Sequence, residues 1–344
     1  MNPTVLVRWR RIALSTLGTL IIGMLASCGA GTPTAAPTPP PTTVRVQLSW
    51  IHSIEWAGLY VAEEKGYYAE QRLATKLLPG GSDAQGNYID PIGVVVAGNA
   101  DFGVINGSAL LQARENAVPV VAVAAIYQRH PLTFTSLAAK GIIRPQDLIG
   151  KKVLISSSSR PLFNAMLTSQ GIDPAQFGSE ERTDVTSAPL TTGQADVIDG
   201  WVINEVVALK QQGQAVNLIL PSDYGVEEYP NIIFTTEKMI VEQPAVVEQF
   251  LRATLRGIDG VIADPNRGAM LAVQYDPTRN LATETEGIQQ SLPLLNPPGS
   301  RPGMMNAETW TITERIFREQ GILKKPVDST SAFTLTFLDK IYGK

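Results

Sequence analysis

Reactive and cross-linking side chains are scarce in this sequence of 344 residues, which has one cysteine, Cys28, and two histidines. A single cysteine cannot form an intrachain disulfide, so a large hydrophobic core has to hold the fold together. A chain of this length can bury such a core. The sequence also lacks a phosphate-binding P-loop and a G-x-S-x-G nucleophile elbow, so neither of those enzyme mechanisms is expected.

Positive charge is low and scattered along the chain. No run of five or more basic residues occurs, and the formal net charge is −4 at pH 7. Proteins that bind nucleic acid need a basic patch to contact the phosphates, so we expect no nucleic-acid partner. The same absence argues against binding to an anionic membrane surface through charge alone.

The first 28 residues have the organisation of an export signal. Arg8, Arg10 and Arg11 form a basic region, and residues 12–25 are uncharged and mostly apolar. This apolar run is too short for a membrane-spanning helix and suits a signal peptide. It leads into L-A-S-C-G, which resembles a bacterial lipobox, in which the cysteine receives a diacylglyceryl group and cleavage occurs before it. We predict a signal peptide over residues 1–27 and lipidation of Cys28; the alternative is an ordinary signal peptide with a chance cysteine.

Residues 28–43 follow as a Pro/Thr-rich tether. Its composition favours extended polyproline II structure, which reaches roughly 45 Å at ~3.1 Å per residue. The leader contains three arginines and no acid, so the mature chain has 25 basic and 32 acidic residues, a balance of −7. We expect a domain anchored to the outer face of the bacterial cytoplasmic membrane, in the extracytoplasmic or periplasmic space. With Cys28 lipidated, His52 and His130 alone cannot form a three- or four-ligand zinc site, and no metal or cofactor is expected.

From residue 44 onward, short apolar runs alternate with helical patterns. The predicted strands are 44–50, 73–78, 101–105, 118–127, 151–156, 197–201 and 216–220, and the predicted helices are 58–68, 108–115, 162–170 and 204–212. Alternation of this kind predicts an α/β fold with mainly parallel sheets.

The C-terminal part is predicted to be helical. A helix opens at Pro244 with apolar residues at helical spacing, and others follow around 267–274, 284–292 and 306–320. We expect them to cover the first of two α/β lobes. Residues 128–133 and 221–230 are predicted as crossovers, so that 44–128 plus 231–344 form lobe 1 and 129–230 form lobe 2. Two lobes joined in this way close by hinge motion.

Several sequence blocks, in order, resemble the NMT1/THI5-like family of periplasmic binding proteins, which includes thiamine-pyrimidine and sulfonate binders. They are Trp50, W-A-G-L-Y-V-A at 56–62, K-G-Y-Y at 65–68, G-N-A-D-F-G-V at 98–104, P-V-V-A-V-A-A-I at 119–126 with Gln128 and Arg129, and F-L-R-A-T at 250–254 with Gly257. The resemblance implies a bilobal, type II periplasmic-binding-protein fold with C-terminal helices. It also implies an extracytoplasmic substrate-binding lipoprotein of an ABC importer, monomeric, with permease and ATPase subunits as partners.

Two patterns within the family imply different ligands. The thiamine-pyrimidine binders have a W-x-P-N-x-x-H start and a G-W-G-x-P-x-E loop, whereas this chain has His52, Ser53 and Trp56 at the first and S-S-S-S-R-P at 156–161 in place of the second. The chain looks closer to riboflavin-transport binding proteins. That likeness rests on W-I-H at 50–52, W-A-G at 56–58, P-G-G-S-D at 79–83, and Gly200-Trp201 followed by Asn204-Glu205. We therefore expect riboflavin, with a pyrimidine thiamine precursor of the hydroxymethylpyrimidine or formylaminopyrimidine type as the alternative.

Aromatic residues near the first strand are candidate stacking faces for a flat ligand. In open α/β sheets ligands bind beyond the carboxyl ends of strands, where Trp50 lies, and offset stacking favours a heteroaromatic ring. Trp50, Trp56 and Tyr60 are the candidate faces, with His52 beside them; the alternative is that these rings fill the core. Tyr127 and Gln128 lie at the first crossover; Tyr127 is a candidate second stacking face, with a hinge-packing role as its alternative.

Polar residues follow three later strands and are candidates for binding the ligand's edge. Asn106 and Ser108 have groups that both donate and accept hydrogen bonds, with helix capping by Ser108 as the alternative. Ser157, Ser158, Ser159 and Arg160 precede a helix and would suit a polyhydroxyl chain or an anion, unless they form only a solvated loop. Trp201, Asn204 and Glu205 occupy a further strand-to-helix junction, where Glu205 is either a ligand acceptor or a solvated first-turn acid.

Two other classes of protein compete with a transport-binding protein. An enzyme that makes the thiamine pyrimidine would, by the same resemblance, need a cysteine-rich motif that this chain lacks. A signalling or sensor lipoprotein would share the predicted anchor and tether. It would differ by having no permease partner.

Overall fold

The computed structural model describes residues 40–177, 180–182 and 186–343. The predicted signal peptide, the predicted lipidation site Cys28 and most of the tether lie outside these residues. Within the described part of the chain, no helix combines the length and apolar character that crossing a membrane requires.

Nine strands form two sheets in the described residues. The strands are β1 (Thr42–Gln47), β2 (Leu73–Leu78), β3 (Phe102–Ile105), β4 (Val120–Ala125), β5 (Leu132–Leu137), β6 (Val153–Leu154), β7 (Val197–Trp201), β8 (Val216–Ile219) and β9 (Ile232–Thr236). The first sheet has the order β2-β1-β3-β9-β4 and the second β6-β7-β5-β8. The second sheet is therefore built from one continuous part of the chain, inserted between β4 and β9 of the first.

Helices cover both sheets. They are α1 (Ala57–Glu64), α2 (Tyr67–Glu70), α3 (Pro91–Val96), α4 (Gly107–Glu115), α5 (Arg160–Ser169), α6 (Ala188–Thr191), α7 (Glu205–Gln211), α8 (Glu237–Glu242), α9 (Pro244–Ala263), α10 (Pro265–Tyr275), α11 (Leu281–Leu295), α12 (Ala307–Glu319) and α13 (Thr336–Tyr342). The predicted helix over 58–68 is two helices, because Gly66 between them has φ of 72°, in the left-handed region that a right-handed helix excludes.

The expectation of mainly parallel sheets is wrong. Three strand pairs are parallel, β1-β2, β1-β3 and β6-β7, whereas β9 runs antiparallel to both β3 and β4, and β5 runs antiparallel to both β7 and β8. The predicted crossover over 128–133 ends early because β5 begins at Leu132. Neither β5 nor β9 was predicted, and these two strands, one at each passage between the sheets, reverse direction relative to their neighbours.

The C-terminal helices pack mainly on the first sheet, as expected, and α12 also contacts a helix beside the second sheet. Helix α9 lies so close to α1 that a Cβ added at Gly257 would be 2.0 Å from the carbonyl oxygen of Gly58, so the contact needs glycine. Helix α12 contacts both α4 and α5. Near α12, Asn164 Nδ2 donates to Gln320 Oε1 at 3.1 Å, which links it to a helix beside the second sheet.

Candidate functional site

Strand ends of the two sheets face each other. Ile232 at the start of β9 pairs with Ile105 at the end of β3 and with Ala125 at the end of β4. Leu132 at the start of β5 pairs with Trp201 at the end of β7. The short connection from β4 to β5 therefore joins one edge directly to the other. We call the space between these edges the cleft, and the loops that follow β1, β3, β6 and β7 start at these edges.

The border after β1 presents an open aromatic surface. Trp50 is 49% exposed and Tyr88, which the sequence did not single out, is 52% exposed. Tyr88 Oη donates to the carbonyl oxygen of Ser49 at 3.3 Å, which places its ring beside this loop. The end of β2 packs closely here, since a Cβ on Gly80 would be 2.3 Å from Leu48 O. Two aromatic side chains with free faces thus stand together at the strand ends.

The other two predicted stacking residues are in the core. Trp56 and Tyr60 are fully buried, and Trp56 Nε1 donates to Ile51 O at 3.0 Å. The Tyr60 ring stacks on Tyr275 with centroids 4.1 Å apart. Neither ring has a face open to a ligand in this conformation, so the alternative of core packing describes them better. Trp50 keeps the predicted role as a proposal.

His52 is held between the loop and these aromatic rings. Its Nδ1 lies 2.9 Å from Tyr60 Oη, and Arg279 Nε donates to the His52 carbonyl oxygen at 2.5 Å. Burial lowers the pKa of His52, and Arg279 adds to this, while Asp276 opposes it. The imidazole is therefore more readily neutral than a free histidine, and one of its nitrogens is already engaged.

At the start of α4, Asn106 caps the helix and Ser108 is buried. Asn106 is the helix cap, because its Oδ1 accepts from Ala109 N at 3.1 Å, so the predicted alternative of capping by Ser108 is wrong. Ser108 is buried, and its backbone N–H donates to Glu228 Oε1 at 2.9 Å. Burial raises the pKa of Glu228 to about 7, although its hydrogen bonds to Ser108 act in the opposite direction. Glu228 had no local sequence signal, since its partner is 120 residues away.

Tyr127 and Gln128 both lie in the connection between β4 and β5. Tyr127 is fully buried, burial raises its pKa well above the usual value, and its hydroxyl, although near Ser291, has no hydrogen-bond partner within the described residues. Gln128 Nε2 donates to Leu295 O at 2.9 Å and to Arg301 O at 2.8 Å. Full burial of Tyr127 fits its predicted alternative of packing better than a stacking face.

A cavity of about 420 Å³ lies beside Gln128. Apart from Gln128, its walls come from the segment after α11, and they are Gly299, Ser300, Arg301, Met304, Met305 and Asn306. In this segment, Gly303 O accepts from Ala125 N at 2.9 Å, so it runs along β4, an outer strand of the first sheet. Only one predicted residue lines this cavity, and its amide is already used, so we place the candidate site in the cleft.

The serine loop after β6 is tied to a buried carboxylate. Ser156 Oγ donates to Asp199 Oδ2, and it lies 3.1 Å from the Oγ atoms of Ser158 and Ser159. Ser157 and Ser158 are exposed, whereas Ser159 is buried at the start of α5. The predicted loop therefore offers two serines to the cleft, with a third beneath them.

The guanidinium of Arg160 is engaged by backbone carbonyl oxygens. Its Nη2 donates to the carbonyl oxygen of Ile155 at 3.2 Å and to that of Glu180 at 3.4 Å. The guanidinium is thus held against the backbone. The predicted strengthening of an anion site by Arg160 gains no support from this arrangement.

A buried arginine joins the serine loop to the loop after β7. Arg182 Nη1 pairs with Asp199 Oδ1 at 3.3 Å, and its Nη2 pairs with Glu205 Oε1 at 3.4 Å. Glu205 Oε2 accepts from Trp201 N at 2.8 Å. Burial raises the pKa of Glu205, and the hydrogen bonds and the charge of Arg182 partly offset the rise. The alternative of a solvated Glu205 is wrong, and Arg182 and Asp199 are site residues that the sequence did not reveal.

Trp201 and Asn204 complete the border of the second sheet. Trp201 is half-buried and meets the ring of His130 edge-on, with centroids 5.8 Å apart. His130 Nδ1 accepts from Leu132 N at 3.0 Å, and burial lowers the pKa of His130 to about 3, so it is a neutral partner. Asn204 is exposed and its side chain makes no capping bond to α7. Across the residues the structure describes, no group of three or more histidine, cysteine, aspartate or glutamate residues is arranged to hold a metal.

Three known proteins resemble this chain in sequence. Riboflavin-binding protein RibY of Chloroflexus aurantiacus is 29% identical, over 95% of this chain and 98% of RibY. The formylaminopyrimidine-binding protein of Halalkalibacterium halodurans is also 29% identical, over 92% of this chain and 96% of that protein. The 4-amino-5-hydroxymethyl-2-methylpyrimidine phosphate synthase of Legionella pneumophila is 24% identical, over 86% of this chain and 92% of the synthase.

The fold is shared with a solved transport protein. The periplasmic aliphatic sulphonate binding protein SsuA from Escherichia coli matches with a TM-score of 0.66 at 16% identity, over 85% of this chain and 92% of SsuA. This likeness confirms the predicted periplasmic-binding-protein fold with two α/β sheets. Residues 53–268 match the family described as NMT1/THI5 like, and the chain belongs to this family.

Proposed function

We propose that this chain is the extracytoplasmic substrate-binding lipoprotein of an ABC importer and that it binds riboflavin in the cleft. The observation that carries the proposal is that the cleft has an aromatic border on one side and a hydroxyl-bearing border on the other. Trp50 and Tyr88 offer aromatic faces on one side, and Ser157 and Ser158 offer hydroxyls on the other. A tricyclic ring with a polyhydroxyl tail needs both surfaces. The similarity to RibY supports the same ligand.

A pyrimidine thiamine precursor is the second candidate, because the formylaminopyrimidine-binding relative is as similar in identity as RibY. A single ring would use the aromatic border and leave the serine loop without a partner. We propose binding rather than catalysis, since both relatives at 29% identity are binding proteins and the sequence, with Cys28 as its single cysteine, lacks the cysteine-rich motif expected of the enzyme.

Full-length protein in detergent should quench riboflavin fluorescence saturably, because a flavin stacked on tryptophan loses its emission. Trp50→Ala should weaken the Kd roughly 30-fold, since it removes the exposed stacking face. Ile149→Ala provides the control, because Ile149 is similarly exposed but lies before β6, at the far edge of the second sheet. Small-angle scattering of the same samples should show compaction on binding, as lobes closing on a ligand require.

Two results would redirect this proposal. If riboflavin gives no quenching while formylaminopyrimidine raises the melting temperature, the second candidate is correct, since only a ligand that binds the native state stabilises it. If Trp50→Ala and Ile149→Ala bind riboflavin alike, the ligand does not stack on the β1 border.

The lipid anchor is tested separately. Cells that produce the protein and are fed labelled palmitate should label the wild-type chain and not Cys28→Ser, because the cysteine sulfur carries the predicted diacylglyceryl group. A Ser27→Ala variant controls for changes in the box that leave the sulfur in place. Equal labelling of wild type and Cys28→Ser would exclude attachment at this residue.

A further inference from the structure

The direction of the hydrogen bonds in the serine loop is set by one residue. Ser156 has a single hydroxyl proton, and Asp199, which is ion-paired with Arg182, can only accept. The proton of Ser156 therefore points to Asp199. The hydroxyl of Ser158, 3.1 Å from Ser156 Oγ, must then supply the proton for its own contact with Ser156.

This direction determines what the exposed part of the loop can offer. Once Ser158 donates inward to Ser156, only its oxygen lone pairs remain for the cleft. An acceptor of this kind binds the O–H and N–H groups of a ligand. It repels the oxygens of a phosphate or sulfonate, which are acceptors themselves.

Few donors nearby would compensate an anion. The N–H groups of Ser159 and Arg160 both donate to Ser156 O at 3.1 Å, and Pro161 has no N–H, so none of these three positions at the start of α5 offers a free N–H to an anion. Arg182 is shared between two carboxyl groups, those of Asp199 and Glu205. The electrostatic balance at this border therefore favours neutral groups.

We infer that Asp199 makes Ser158 of the serine loop an acceptor, and that this acceptor selects a neutral, hydroxyl-bearing ligand over the phosphate ester of the same ligand. The inference rests on the proposed function, since it names the group that the loop would meet. Asp199 acts here as a positioning residue, because it works through Ser156 and Ser158 and does not itself meet the ligand.

The test compares riboflavin with its 5′-phosphate, flavin mononucleotide, by fluorescence titration of the full-length chain. In wild type the Kd for riboflavin should be about a hundredfold lower than that for the phosphate ester. Asp199→Asn should reduce this ratio by about tenfold, because an amide can donate to Ser156 and carries no charge. Asp196→Asn is the matched control, since Asp196 lies at the opposite end of β7 and pairs with Lys140. Ser158→Ala removes the acceptor itself without touching the ion pair, so it covers the case in which Asp199→Asn does not fold.

A second readout needs no flavin. Inorganic phosphate should leave the melting temperature of the wild type unchanged and raise that of Asp199→Asn. Equal affinity of wild type for the two flavins, or an unchanged preference in both Asp199→Asn and Ser158→Ala, would overturn the inference and leave riboflavin binding intact. Absence of binding by either flavin would overturn the proposed function, and phosphate stabilising wild type as much as Asp199→Asn would still overturn the selectivity.

Discussion

Replacing Arg182 with methionine should lower the free energy of unfolding by about 3–5 kcal/mol, as expected when one member of a buried ion pair is removed. The guanidinium is 6% exposed and lies against Asp199 and Glu205, whose side chains are also largely buried. Methionine fills a similar volume but leaves both carboxyl groups without a counter-charge. Urea unfolding followed by tryptophan fluorescence measures the loss.

Arg144→Met is the matched control for this measurement. Arg144 pairs with Asp147 at 3.2 Å, but its side chain is 66% exposed, so the same substitution should cost less than about 1 kcal/mol. A loss for Arg182→Met no larger than that of Arg144→Met would show that Asp199 and Glu205 do not depend on the arginine. Asp199 would then not be held by the arginine as the charged acceptor that orients Ser156.

The free energy of unfolding should carry a contribution from Glu228 that falls by about 3 kcal/mol as the pH rises from about 4.5 to above 7. The buried carboxyl has its pKa raised from 4.5 to about 7, so the folded state holds a proton that the unfolded state has already released in this range. A state that binds more protons is favoured at low pH, and the advantage is lost as the pH passes the folded pKa. The measurement is the difference in unfolding free energy between wild type and Glu228→Gln across this range.

Glu248→Gln gives a control of opposite sign. Hydrogen bonds from Lys340 and Arg252 lower the pKa of Glu248, so its stabilising contribution is present above the unfolded pKa and is lost as the pH falls. The difference between wild type and Glu248→Gln should therefore decrease toward acid pH. A difference for Glu228→Gln that stays constant from pH 4.5 to 8 would show that the carboxyl is ionised throughout.

Local patterns predicted the elements whose signal lies in their own residues. Strands β2 and β7 begin and end where the sequence placed them, and α9 follows its apolar spacing from Pro244. Whether a strand pairs parallel or antiparallel was not predictable in this way, because its own apolar pattern is the same in either pairing. Strand β9 was missed because its five residues lie in the short stretch left unassigned between the predicted crossover over 221–230 and the helix predicted from Pro244.

The candidate site shows the same division. Trp50, Ser157, Ser158 and Trp201 were predicted because they stand at strand ends, and in the structure they lie at or just beyond the ends of β1, β6 and β7. Trp56 and Tyr60 carry the same aromatic signal, yet their spacing of four residues also suits the buried side of a helix. Glu228, Arg182 and Asp199 gave no signal, since each owes its role to a partner distant in the chain.

The insertion of the second sheet also governs the order in which the fold can be completed from the N-terminus onward. Phe234 of β9 pairs with Gly103 of β3 on one side and with Ala122 of β4 on the other, so nothing joins these two strands until residues 232–236 have been delivered. The second sheet needs no strand beyond Ile219. A chain that folds as it is delivered N-terminus first therefore carries two unpaired strand edges from the completion of β4 until residues 232–236 arrive, and edges of this kind are where strands of other chains add and aggregation begins.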